Sequence, residues 1–303
     1  MSVVKGEALK SPLPTVEGVA PSRQTLPPGA WPTVLDFLAE HHPSVGVETW
    51  AARMLRGEVA DETGRRLAPG SPYRAGACVF YYRDPGDEPA APEEELVLYR
   101  DEHVLVADKP HFMAVVPAGR YLRETLLVRL KRRTGAAHLA PVHRIDRETA
   151  GVVVFSVNPS TRGAYASLFQ RREVSKVYHA LAPRARLRFP VTRRSRIVRG
   201  EPFFRMREAA GEPNAETRVD VLKTSGGAAL YEARPLTGRK HQVRVHLAAL
   251  GIPVLNDRLY PVAFPEGEDD FSAPLKLLAK SVSFRDPLTG RALHFESGRE
   301  LCL

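Results

Sequence analysis

From Leu96 onward the chain alternates strand-like segments, joined to near neighbours by short turns, with helical ones, and this mixture limits the fold more than any other feature. LVLYRDEHVLVADKP (96–110) reads as a strand, a turn at Arg100 to His103, and a second strand ending at Lys109-Pro110. GVVVFSV (151–157) is a continuous apolar run of strand length, which suits a buried strand. RVDVLKTSGGAALYEARP forms a hairpin about Gly226-Gly227, and a last hairpin turns at Asp286 to Gly290. Between these lie helical stretches: Glu124 to Arg133, a segment begun by Asn158 as cap with Pro159 at its first position, and His241 to Leu250 closed by Gly251. For the last of these a strand is the alternative. Hairpin strands mixed with helices predict an α+β fold with a mixed, largely antiparallel sheet flanked by helices.

Upstream, residues 1–28 are rich in Pro, Ser and Gly and read as an extended arm. Residues 29–84 form a small α/β module, helical over Thr33 to His41 and Val47 to Leu55 and ending in the strand-like CVFYYR (78–83). The Pro/Glu-rich stretch 85–95 reads as a linker, leaving 96–303 as the main domain.

A formal charge of +9 on 303 residues suits a polyanionic partner. Cys78 and Cys302 stand far apart, with neither metal-ligand spacing nor a disulfide framework, which fits a reducing, cytoplasmic setting. The first residues lack the apolar core of a secretory signal, and no apolar run approaches the roughly 20 residues of a membrane helix. No Gly-rich phosphate loop, HExxH, CxxC or GxSxG is present, so the expectation is no cofactor and no metal. His241 and His246 are five apart, about 140° around a helix from its ~3.6-residue repeat, which does not make a metal pair.

Two blocks carry chemistry. HRIDRETAG (143–151) sets His143, Arg144 and Asp146 at the mouth of the buried strand, where a carboxylate is held rigidly and is partly desolvated. In LTGRKHQVRVHLAALGIPVLND (236–257), Thr237-Gly238 makes a tight turn and Arg239 and Arg244 lie near a helix start, placed to meet a carboxylate or phosphate. Between them, VSKVYHAL (174–181) is a strand with Lys176 and Tyr178 on one face. Residues 184–207 pack nine arginines, Arg193 and Arg194 among them, with Phe189, Phe203 and Phe204, a composition that suits phosphates and unstacked bases.

HRIDRETAG, SKVYHA and TGRKHQVRVHLAALGIPVLNDRLY, in this order, resemble the HRLDxxTSG, KxY and TGRxHQIRxHL…GxPIxGDxxY blocks of the RluA-type pseudouridine synthase family. The similarity runs from Leu96 to Phe295. It implies a cofactor-free isomerase that converts uridine in structured ribosomal or transfer RNA to pseudouridine, with Asp146 as the catalytic aspartate, Tyr178 stacking on the flipped base and Arg244 pairing with the aspartate. By the same resemblance His143, Arg144, Thr149, Lys176, Arg239, His241, Gln242, Arg193 and Arg194 contact or position RNA. The family has Gly where Asn256 stands; if that backbone needs a positive φ, Asn is the next best residue. The N-terminal module is similar to the small alpha-L RNA-binding modules attached to such enzymes. The alternatives are a non-catalytic RNA chaperone of the same fold and a hydrolase using Asp146 with a second carboxylate. A monomer is expected.

Overall fold

The computed structural model describes residues 11–84, 86, 88–264 and 269–302. The first ten residues of the expected arm and residues 85 and 87 of the expected linker lie outside these. The chain divides into two compact units, Met1–Glu88 and Pro89–Leu303.

In the first unit a three-stranded antiparallel sheet, ordered β1 (Ser22–Thr25), β3 (Cys78–Tyr81), β2 (Val59–Asp61), packs with α1 (Val34–His41) and α2 (Val47–Leu55). The start of α1 is fixed by a reciprocal cap. The Thr33 hydroxyl accepts from Asp36 N, and the Asp36 carboxylate accepts from Thr33 N. Leu26, Phe37, Leu38, Trp50, Met54 and Val79 are the centre of its core. The segment read as an arm therefore contributes an edge strand, β1, and the buried Leu26.

The second unit is α+β. Its strands are β4 (Leu96–Arg100), β5 (Val104–Lys109), β6 (Ala140–Pro141), β7 (Ala150–Ser156), β8 (Ser175–Pro183), β9 (Val191–Arg199), β10 (Met206–Ala209), β11 (Ala215–Ser225), β12 (Ala228–Pro235), β13 (Leu277–Arg285) and β14 (Ala292–Glu296). They form one sheet ordered β10-β9-β11-β12-β8-β13-β7-β5-β4, with β14 on β13 and β6 on β7. Every pairing is antiparallel except β13 with β7. β5 and β7 are buried along their whole length because helices cover both faces. Val104, Val106, Val152 and Val154 meet Tyr165 and Leu168 of α4 (Arg162–Arg171), while Leu105, Ala107, Val153 and Phe155 meet Leu126 and Leu130 of α3 (Leu126–Thr134). α5 (Gln242–Ala249) packs Val243 and Leu247 on β8, β11 and β12.

Three readings need correction. Asn158 does not cap a helix begun by Pro159. Its side chain accepts from Ser160 N and Oγ in a turn, and α4 starts three residues later than Pro159, at Arg162. Residues 89–95, read as linker, belong to the second unit, where Glu95 is buried with an oxygen 2.9 Å from Arg129 Nε. In the arginine-rich stretch β9 turns Ser195 and Ile197 inward and Arg194 and Arg196 outward. Phe189, counted there as available to bases, packs instead on Tyr231 in the core.

The register of three strands prepares the site. Tyr178 on β8 stands opposite Ala279 on β13, and Ala279 stands opposite Gly151 at the start of β7. This row brings Tyr178 across to the end of the HRID loop. Gly151 has φ 115°, and a Cβ there would lie 2.2 Å from the Ala279 carbonyl oxygen, so only glycine fits.

Candidate active site

The HRID loop enters β7, and the loop's own turn is closed by Thr149 N donating to the Asp146 carbonyl at 3.2 Å. Beneath it, Lys109 is fully buried. Its Nζ donates to the carbonyl oxygens of Pro110, Met113 and Arg147 at 2.8, 2.7 and 3.0 Å, tying β5 to the loop. Burial pulls this ammonium down to about 7, against the pull of Glu148 and Asp146. His143 accepts from Val154 N at 3.1 Å and stacks on Phe169 with ring centres 4.7 Å apart. Burial, with Lys176 nearby, lowers its pKa to about 3, so the ring is a neutral buttress for the loop.

On the other wall, the TGRKHQ turn is locked by Gln242. Its Oε1 accepts from Thr237 Oγ1 (2.6 Å) and Arg239 N (3.0 Å), and its Nε2 donates to Glu216 O and Thr217 Oγ1, both at 2.9 Å. Both amide hydrogens are thereby spent on the protein. His241 follows in the left-handed region at φ 55°, a conformation that costs of order 1–3 kcal/mol and persists only where the surroundings enforce it. Here Tyr260 does so: its hydroxyl lies 2.9 Å from His241 Nδ1 and already accepts from Met206 N at 2.8 Å. In one tautomer Nδ1 accepts the phenol proton and the ring's own proton sits on Nε2, 3.8 Å from Asp146 Oδ1; in the other Nδ1 donates to the phenol.

Arg244 is the electrostatic centre. Its side chain is 2% exposed, and Nε and Nη2 bind both oxygens of the fully buried Asp257 at 2.8 and 2.7 Å. Nη1 reaches Asp146 Oδ2 at 3.1 Å and lies 3.9 Å from Glu148. Burial works against the guanidinium charge, but the Asp257 hydrogen bonds and the charges of Asp146 and Asp257 outweigh it and raise its pKa. Asp146 shows the same contest. Desolvation pushes its carboxyl up, while His241 and Arg244, with Lys240 beyond, bring the balance below the ordinary carboxylate value. Its side chain keeps 21% exposure, and Oδ1 accepts no hydrogen bond among the described residues. A charged oxygen therefore faces the cleft.

That cleft, about 960 Å³, is lined by Asp146, Tyr178, Arg244, His143, Arg144, Thr149, Lys176, Arg239, His241 and Gln242. Burial and the Asp146 charge raise the Tyr178 pKa, so it remains a phenol. Lys176 donates to Thr237 O at 2.9 Å and is drawn down by burial to about 8. Arg239 donates to Asn214 O at 3.1 Å, so Arg244 alone of the two meets the aspartate. Arg144 is exposed at the cleft with no hydrogen bond among the described residues. Arg193 and Arg194 are on β9 outside the cleft, paired with Glu208 and Glu216. His246 is buried between Ser195 and Thr217, at 3.0 and 2.9 Å. Asn256 takes φ 62°, the conformation expected if it replaces glycine.

Sequence reasoning missed four supports: Asp257, Tyr260, Lys109 and the pair Arg147–Asp269. Asp257 and Tyr260 stood in the quoted NDRLY block, Lys109 at the end of LVLYRDEHVLVADKP and Arg147 inside HRIDRETAG, and those positions were the signal for them. Arg147 donates to both oxygens of Asp269 (3.0 and 2.6 Å) and to Tyr121 Oη (2.8 Å), fastening the residue next to Asp146 to a distant segment.

Residues 103–249 match the family model of the RNA pseudouridylate synthases. An RNA pseudouridine synthase of Synechocystis sp., itself uncharacterised, is 30% identical over 75% of this chain and 79% of its own. The dual-specificity RNA pseudouridine synthase RluA of Pasteurella multocida is 30% identical over 69% of this chain and 94% of its own. Among solved structures, human RNA pseudouridylate synthase domain containing 1 superposes with a TM-score of 0.56 at 25% identity, covering 70% of this chain and 86% of that one. The described residues contain no helix long and apolar enough to cross a membrane. On this agreement of fold and sequence, the chain belongs to the RluA-type RNA pseudouridine synthases and is an isomerase.

Proposed function

We propose that Asp146 is the reacting carboxylate in the conversion of specific uridines of ribosomal or transfer RNA to pseudouridine, carried out by a monomeric cytoplasmic enzyme. The reaction breaks the bond from N1 to C1′, turns the base and joins C5 to C1′; C5 gives up a proton and N1 gains one, so atoms and electrons balance. Asp146 acts on the ribose as nucleophile or as base. The supporting observation is its free Oδ1, kept ionised by a buried arginine and turned to the cleft.

The uridine must leave its stack, at a cost of a few kcal/mol. Tyr178, a neutral ring on the same cleft, returns about 1–3 kcal/mol by stacking on the base. Arg144, exposed and unengaged, and Arg239 and Lys176 supply positive charge to the flanking phosphates. The N-terminal module, residues 29–84, adds a second RNA contact.

Carbodiimide labelling of ribosomal and transfer RNA maps the mass-silent product. RNA incubated with the wild-type protein should gain label at discrete uridines, and RNA incubated with Asp146→Ala should not. Equal labelling by both proteins rejects Asp146 as the reacting group.

A further inference from the structure

Two loops beside the cleft carry large apolar side chains that are exposed. In the turn between β9 and β10, Phe203 is 82% exposed, with Phe204 edge-to-face against it at 5.5 Å. In the loop after α5, Val262 and Phe264 are 71% and 65% exposed. A single bare phenylalanine needs no explanation, but several on adjoining loops do.

The two loops are fastened together and to the cleft wall. Arg205 donates to the Pro261 carbonyl at 2.8 Å and lies over the Tyr260 ring at 5.2 Å. Met206 N donates to the Tyr260 hydroxyl, whose other partner is His241, 3.8 Å from Asp146. Lys240, which lines the cleft, donates to the Phe204 carbonyl at 3.0 Å. The turn itself closes through Arg205 N to Pro202 O (2.9 Å) and Gly200 N to Arg205 O (3.0 Å). These contacts fix the backbone of the two loops against the cleft wall. Arg199 and Arg207, on the strands that flank the turn, are exposed, as is Arg196 further along β9.

We infer that Phe203 and Phe264, with Phe204 and Val262, form a stacking shelf for unpaired RNA bases next to the target uridine. The inference rests on the RNA-isomerase reading and names a contact that the reading does not require. Flipping one nucleotide strips its neighbours of a stacking partner, and an aromatic surface replaces it. Each base is a flat apolar face on an anionic strand. Exposed aromatic rings on a turn flanked by exposed arginines and tied to the cleft through Lys240 are its complement. A purely apolar partner would make no use of the positive charge.

The test uses a twelve-nucleotide oligouridylate with one central 2-aminopurine, whose fluorescence falls on stacking, and inorganic polyphosphate as a base-free polyanion. Phe203→Ala/Phe264→Ala alters only exposed side chains. It should weaken oligouridylate binding about tenfold or more, from ~1–3 kcal/mol per stacked base, relieve the quenching, and leave polyphosphate affinity unchanged. Phe203→Tyr/Phe264→Tyr should restore both signals. Unchanged quenching and affinity in the alanine variant overturn the shelf. So does wild-type self-association that the same variant abolishes, which would make the rings an interface between copies. Asp146→Ala should keep the quenching. If that variant also keeps isomerase activity, the assignment of Asp146 fails while the shelf stands.

Discussion

Two of the protein's arginine–carboxylate pairings, one buried and one exposed, stand in opposite surroundings. Arg244 is 2% exposed, and every nitrogen of its guanidinium faces an acidic side chain. Arg194 on β9 also holds a carboxylate with two nitrogens, Glu216 at 2.9 and 3.3 Å, yet is 66% exposed. In water the second pair is screened and exchangeable, worth about 0–1 kcal/mol. Away from water the first cannot relax, so it acts as a fixed charge against which Asp146 is tuned. The locked arginine holds the charge on Asp146, and the exposed one is paired where solvent and other ions compete for it.

The comparison breaks most visibly at its buried end. Arg244→Met should destabilise the second unit by about 3–5 kcal/mol, since it strands Asp257 and Asp146 without a counter-charge. Urea unfolding reads this directly, and a loss under 1 kcal/mol would show that the centre is no better held than the surface. Arg147 and Asp269 are intermediate, both 17% exposed. Asp269→Asn should cost about 1.5–3 kcal/mol from weakened charged hydrogen bonds. It should also lower kcat about tenfold with KM little changed, because the loop beside Asp146 loosens while the RNA contacts remain. A rise in KM with kcat intact would assign Asp269 to binding instead.

How much of this could be read beforehand depends on sequence distance. The hairpins turning at Gly226-Gly227 and at Asp286 to Gly290 announce themselves because turn chemistry is local. Asp146, Tyr178 and Arg244 could be singled out from three motifs. That they share one cleft depends on a register linking Tyr178, Ala279 and Gly151, which no single segment encodes. Asp257 is 13 residues beyond Arg244 with no helical periodicity to relate them, so its grip on the guanidinium was invisible. β9 carries no clear strand signal in the sequence, because its outward positions are arginines and the inward pair Ser195 and Ile197 is too short an apolar pattern. Asn158 was misassigned because one side chain can cap a helix or close a turn, and here Ser160 claims it.

At the exposed end, the expected effects are smaller. Arg194→Ala should change stability by under 1 kcal/mol. It should weaken RNA binding a few-fold at low salt and reduce the slope of log affinity against log salt by about 1, the mark of one lost phosphate contact. Titration of the oligouridylate between 50 and 200 mM salt is sufficient. An unchanged slope means that Arg194 stays with Glu216 when RNA binds.

The finest consequence concerns pH. Asp146 has a folded-state pKa below its ordinary value, so its charge, and the stability that charge brings, is present above the unfolded value near 3.8 and is lost only as pH falls through the still lower folded one. Within pH 5–8 the carboxylate contributes no titration, so any step in kcat/KM there belongs to other groups: His241, whose pKa burial lowers from 6.5, and Lys109 and Lys176, drawn down to about 7 and about 8. In a His241→Gln background the histidine step disappears, and the two lysines titrate on the alkaline side. Adding Arg244→Gln to it removes the fixed charge and keeps the desolvation, so the acid limb should climb into the measured range. An acid limb above pH 5 in the His241→Gln protein that Arg244→Gln does not move would mean that the buried guanidinium does not set the charge of Asp146, and the contrast between the two kinds of arginine would lose its catalytic half.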